Sequence, residues 1–96
     1  MAILMRMDWK GVTPEQYERV RELVQWETNQ PPGGLSHVAA FDDDGLHVND
    51  TWSSAAEFDA FVADRLMAGV AEAGITTQPE VTVIEAHAVY IAGVTH

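Results

Sequence analysis

The chain has 96 residues, 47 % of them apolar and including three Trp, three Phe and two Tyr, which suffices for one domain spanning residues 1–96 with a core of its own. Fifteen Asp and Glu against five Lys and Arg give a formal charge of −10. Arg6, Lys10, Arg19, Arg21 and Arg65 are dispersed rather than gathered in a stripe, so nucleic acid and anionic membrane surfaces are excluded as natural partners. The absence of Cys excludes disulfides, thiolate metal sites and cysteine nucleophiles. The opening apolar run, Ala2 to Met5, is too short for a signal-peptide core and no later run approaches a membrane span, so a cytoplasmic location is expected.

Ala2 to Trp9 has strand-forming residues and ends at Lys10-Gly11, which predicts a first strand. Thr13-Pro14-Glu15-Gln16 is a helix start. Thr13 caps, Pro14 suits the first helical position and Gln16 completes a capping box. Tyr17, Val20, Leu23 and Val24 then recur at helical spacing, until Asn29-Gln-Pro-Pro-Gly-Gly34 breaks the pattern into a loop. Leu35 to Phe41 and Leu46 to Trp52 read as the arms of a hairpin around the acidic turn Asp42-Asp-Asp-Gly45. Ser54 opens a second helix that runs to Ala73, with Glu57 placed for a second capping box. Phe58, Phe61, Val62, Leu66, Val70 and Ala73 form its apolar stripe, and Gly74-Ile75 its stop. Val81 to Ile91 is predicted as one long last strand.

The order βαββαβ predicts an α+β fold of the ferredoxin-like kind, a four-stranded antiparallel sheet with both helices on one face. Apolar side chains alternate onto both faces, however. Ile3, Met5 and Met7 oppose Ala2 and Leu4, and Val81, Val83 and Val89 oppose Ile84, Ala88 and Tyr90. Two helices cover one face only, so a second copy of the chain is expected to cover the other, giving a homodimer.

Four His and one mid-strand Asp are the candidates for chemistry. If the hairpin loop is the four residues Asp42 to Gly45, Phe41 pairs with Leu46 and His37 falls opposite Asp50. A carboxylate on an imidazole orients the ring and sets its tautomer, as a general base requires. A three-residue loop with Gly45 in a bulge would shift the register by one and turn His37 to the other face, near Asn49 and Thr51. Buried polar groups are normally paired, so a purely structural His37 is the competing reading. His87 is a second candidate, on the sheet edge away from His37, while His47 beside the turn reads as solvated and His96, the last residue given, calls for no explanation. Arg6, inside an apolar strand, is placed to hold an acidic ligand or to pair with Asp8 or Asp50. Trp9 ends its strand as a core or pocket-wall residue. No metal site is expected: no His pair has helical spacing, the turn 42–45 lacks the alternating ligands of a calcium loop, and Pro31-Pro-Gly-Gly34 lacks the Lys of a phosphate loop.

Three segments, Val48-Asn-Asp-Thr-Trp52, Ser53-Ser-Ala-Ala-Glu-Phe-Asp-Ala-Phe61 and Ala86-His-Ala-Val-Tyr90, set in this order of elements, resemble the dimeric α+β barrel superfamily and within it the antibiotic biosynthesis monooxygenase-like proteins. The resemblance spans nearly the whole chain as a pattern of elements. It implies a barrel made by two subunits and a cavity for a small, often aromatic molecule between sheet and helices, with Trp52 at the position of a cavity-lining Trp. Some members are cofactor-independent oxygenases of polyketide-like phenols. Haem-degrading relatives carry an axial His on the second helix, which here has none, so no haem or other cofactor is expected. The implied function is a cofactor-independent monooxygenase acting on an enolisable aromatic substrate. His37 and Asp50 would handle the proton, and Trp52, Arg6, His87 and Trp9 would contact the ligand. A non-catalytic metabolite-binding or stress-response accessory dimer, and a cyclase or isomerase on the same fold, are the alternatives.

Overall fold

The computed structural model describes residues 1–92, so His96 lies outside the described residues. The elements are β1 (Ile3–Lys10), α1 (Pro14–Val24), β2 (Gly34–Asp42), β3 (Gly45–Trp52), α2 (Ala55–Phe61), a π-helical turn (Val62–Leu66), α3 (Met67–Glu72) and β4 (Glu80–Glu85). The strands form one antiparallel sheet in the order β2-β3-β1-β4. This is the predicted βαββαβ arrangement.

Local chemistry sets the ends of the elements. Thr13 and Gln16 make a complete capping box on α1. The helix closes at Gln25, which adopts a left-handed conformation at φ 58°. At the far end of α3, Gly74 N–H donates to the Ala71 carbonyl (3.1 Å) and Ile75 N–H to that of Val70 (3.2 Å), a Schellman closure that buries Ile75. The predicted second helix is one helical run, but not a regular one. Its apolar stripe steps by four from Val62 to Leu66 to Val70, wider than the α-helical period of 3.6 residues. The wider π turn between α2 and α3 absorbs that difference and keeps all three side chains toward the sheet.

The core lies between the sheet and the helical layer. Ile3, Met5, Met7 and Trp9 of β1, with Leu46, Val48 and Trp52 of β3, meet Val24, Phe58, Phe61, Val70 and Ile75. The alternate β1 positions, Leu4, Arg6 and Asp8, point to the open face of the sheet. The hairpin takes the first of the two predicted registers: Phe41 pairs with Leu46, and His37 with Asp50. Asp42 and Gly45 also pair, which leaves Asp43-Asp44 as the turn itself.

The last strand is shorter than predicted. β4 runs antiparallel to β1, its Glu85 pairs with Ile3, and the Ala86 N–H reaches the Ala2 carbonyl (2.9 Å). β1 itself begins at Ile3, so β4 has no strand partner past Glu85. His87, predicted within the strand, therefore lies past its end and is exposed.

Candidate functional site

β2 and β3 bring His37 and Asp50 together on the helix-facing side of the sheet. His37 Nδ1 lies 2.7 Å from Asp50 Oδ1, and the Trp52 indole N–H donates to Asp50 Oδ2 at 3.2 Å. Asp50 is 4 % exposed, the one buried charged residue among those described. A carboxylate only accepts, so in the neutral form of His37 the proton sits on Nδ1 and Nε2 carries the lone pair. That nitrogen is 2.7 Å from the hydroxyl of Tyr17 on α1, which must then donate to it. Tyr17, His37, Asp50 and Trp52 thus form one continuous hydrogen-bonded chain.

Aromatic rings hold this chain in place. Tyr17 lies parallel to the His37 ring, 6.1 Å between centroids, and edge-on to Phe41. Trp26, on the turn after α1, tilts over His37 at 4.8 Å and meets Trp52 and Phe61 edge-on. The turn bearing Trp26 is itself tied to the second helical run. The Arg65 guanidinium, on the π turn, donates to the carbonyls of Val24 and Asn29 and stands over the Phe61 ring. A cation at the carbonyl end of α1 also complements its dipole. Arg21 clamps Glu27 through two hydrogen bonds (2.6 and 2.8 Å), which fastens the same turn back onto α1.

Beside the chain lies a cavity of about 80 Å³ between sheet and helices. Its walls are mostly apolar, from Met5, Met7, Val48, Phe58, Leu66 and Val70, and its polar groups are Tyr17, His37 and Asp50 with Arg21 and Glu27. Arg21 and Glu27 are about half exposed. Burial raises the Tyr17 phenol above its ordinary value of 10.0, an effect that nearby Arg21 opposes.

The predicted ligand contacts separate into two groups. Trp9 lines the cavity, its indole N–H anchored on Thr77. Trp52 is fully buried and does not line it; Trp26 stands on the His37 ring in its place, with Trp52 one layer behind. Arg6 projects from the open face, opposite Asn49 and Thr82, so it reaches neither the cavity nor Asp50, whose neighbour on β1 is Met5. His87 is exposed beyond the opposite edge of the sheet. His47 is not simply solvated. Its Nδ1 donates to Asp8 Oδ1 (2.6 Å) and its Nε2 lies 2.8 Å from Asp42 Oδ1, close but poorly aligned for a hydrogen bond.

Sequence reasoning missed Tyr17, Trp26 and Arg65. Tyr17 was counted by its apolar ring as part of a helical stripe. Its hydroxyl was the available signal, because a Tyr facing a core needs a partner for that group. For Trp26 the signal was a large aromatic in the otherwise polar run Gln25 to Gln30.

No family model matches the chain, and no curated protein does. Solved structures do. The chain superposes on a conserved protein from Methanosarcina mazei with a TM-score of 0.63 at 15 % identity, over 88 % of this chain and 91 % of that one. SnoaB, a cofactor-independent oxygenase from Streptomyces nogalater, matches with a TM-score of 0.61 at 16 % identity, over 92 % and 93 %. An antibiotic biosynthesis monooxygenase matches with a TM-score of 0.58 at 24 % identity, over 90 % and 98 %. The chain shares the fold of these structures, a βαββαβ arrangement of one four-stranded antiparallel sheet with its helices on one face.

Proposed function

We propose that the chain forms a homodimer that binds a small aromatic molecule in the helix-side cavity and acts on it as a cofactor-independent monooxygenase. His37, oriented by Asp50, is the general base. The observation that carries this reading is the buried Asp50 carboxylate holding an imidazole, through Nδ1, against a mostly apolar cavity. Such chemistry asks little else of a protein. Once deprotonated, an enolisable aromatic is electron-rich enough to reduce dioxygen itself, and a dry cavity protects the intermediate from water. SnoaB, on the same fold, is described as an oxygenase of this cofactor-independent kind.

The cavity bears on the substrate. About 80 Å³ is below the roughly 150 Å³ that holds benzene in a rigid apolar cavity. Ligand entry therefore requires a wall to yield. Met5 and Met7 supply unbranched, adaptable side chains, and Trp26 sits on a turn rather than inside a helix. In this reading the ionisable end of the substrate is buried at His37, and the remainder passes the half-exposed Arg21 and Glu27.

One observation favours the non-catalytic alternative: every polar group of the Tyr17–His37–Asp50–Trp52 chain already has a partner. Oxygen uptake by the purified protein with anthrone, an enolisable aromatic ketone, separates the two readings. Turnover by the wild type and its loss in His37→Ala are the expected results. Equal uptake by both would remove His37 from the mechanism, and none by either would favour a binding protein.

A further inference from the structure

The imidazole nitrogen that should receive the substrate proton is not open to the cavity. Asp50 fixes the proton of His37 on Nδ1, so Nε2 is the basic atom, and the Tyr17 hydroxyl occupies it at 2.7 Å. Trp26 tilts over the ring at 4.8 Å. The phenol oxygen of Tyr17 has lone pairs beyond the one proton it donates, and Tyr17 lines the cavity.

We propose that Tyr17, rather than His37, is the catalytic residue that touches the substrate, and that it passes the substrate proton on to His37. This rests on the reading of His37–Asp50 as the base. As the substrate O–H bond breaks, its proton moves to the Tyr17 oxygen while the proton already on Tyr17 moves to His37 Nε2. The step ends with a substrate anion, a neutral tyrosine and an imidazolium paired with Asp50. No electron changes hands before dioxygen is met.

Two further features fit a relay. A phenol of ordinary value 10.0 carries its proton at neutral pH and burial of Tyr17 raises it further, so that proton is in place to move inward. The parallel packing on His37 and the edge contact with Phe41 keep the hydroxyl aimed at Nε2 between turnovers. A relay through oxygen selects for the substrate as well. A phenol, or the enol tautomer of a ketone such as anthrone, can hydrogen-bond to the tyrosine oxygen before transfer, whereas the C–H form of the ketone cannot do so effectively.

The test is spectroscopic and needs no turnover. Para-nitrophenol changes colour on ionisation, so titrating it with purified protein reports the fraction of bound probe that has lost its proton. With the wild type, the bound probe should be ionised at a pH where the free phenol is mostly protonated. Tyr17→Phe should still bind the probe but lower its ionised-to-neutral ratio about tenfold, the weight of one lost hydrogen bond to a developing charge. His37→Gln should abolish the ionised form. An unchanged ratio in Tyr17→Phe overturns the relay and leaves the base intact. An unchanged ratio in His37→Gln overturns the base itself, and an un-ionised probe on the wild type overturns both.

Should Tyr17→Phe not fold, replacing both tyrosines of the chain with ring-fluorinated tyrosine keeps the shape and makes the phenol more acidic. A relay then moves the pH profile of probe ionisation to lower pH. A merely structural hydroxyl leaves it where it was.

Discussion

Asp50 and His47 lie three positions apart on β3 and therefore face opposite sides of the sheet, and each is joined to its carboxylate or imidazole partner across strands. On the helix side, Asp50 accepts from His37 with one oxygen and from Trp52 with the other, which answers the cost of burying a charge. On the open face, His47 stands between Asp8 and Asp42. The hydrogen bond to Asp8 first, and the close Asp42 carboxylate second, raise the His47 imidazole above its ordinary 6.5, and His47 in turn holds Asp42 below its ordinary 3.8. A raised imidazole stabilises the fold below its unfolded value and ceases to as pH rises through the folded one; a lowered carboxylate does the reverse. His47 should therefore help most between about pH 4 and 6.5. In urea unfolding, wild type should exceed His47→Gln by the widest margin in that window and lose the advantage toward alkaline pH. A margin that does not vary with pH would mean the contacts are not ionic.

The hairpin and the second helical run show what can and cannot be read from sequence at the level of elements. The turn 42–45 announced itself through Asp and Gly, and with it came the register that sets His37 opposite Asp50. Gly45 has a second duty. At φ 132° a Cβ there would run into the backbone of Trp9 and Gly11, where the Gly11 N–H meets the Asp44 carbonyl (3.0 Å). Gly45→Ala should cost about 2–3 kcal/mol, because backbone strain and a backbone clash coincide and neither has a flexible side chain to relieve it. Denaturant unfolding measures this directly. A loss below ~1 kcal/mol would show that the hairpin can shift away from β1. The caps at Thr13, Ser54 and Gly74 were equally local and equally legible. The contacts of Arg65 were not. Its carbonyl partners lie 36 to 41 residues earlier in the chain, and nothing near Arg65 in sequence marks it as the tie that holds the Trp26 turn. Tyr17 and His37 are likewise joined only when α1 lies across the sheet. The length of β4 also depended on another element, since the strand stops where β1 begins.

The helices leave one broad face of the sheet uncovered, and the proposed dimer is a statement about what covers it. Val38 on β2 and Ile84 on β4 stand 60 % and 50 % exposed there, with Leu4 half-buried between them. Past the end of β4, Val89, Tyr90 and Ile91 are exposed as well. Burying such surface contributes roughly 25 cal/mol per Å², which favours pairing, but charge opposes it. Each chain carries −10, so two of them bring −20 to one particle. Repulsion of this kind is long-ranged and weakened by salt, whereas apolar contact is not. Sedimentation of the wild type at micromolar concentration should therefore show a dimer that tightens as salt is added. Val38→Asp with Ile84→Asp puts charge in place of the apolar contacts on that face and should leave a folded monomer. A wild type that sediments as a monomer at every salt concentration would leave the open face without a partner copy. Dimers that loosen in salt would instead mean that ion pairs, and not the apolar face of the sheet, hold the two copies together.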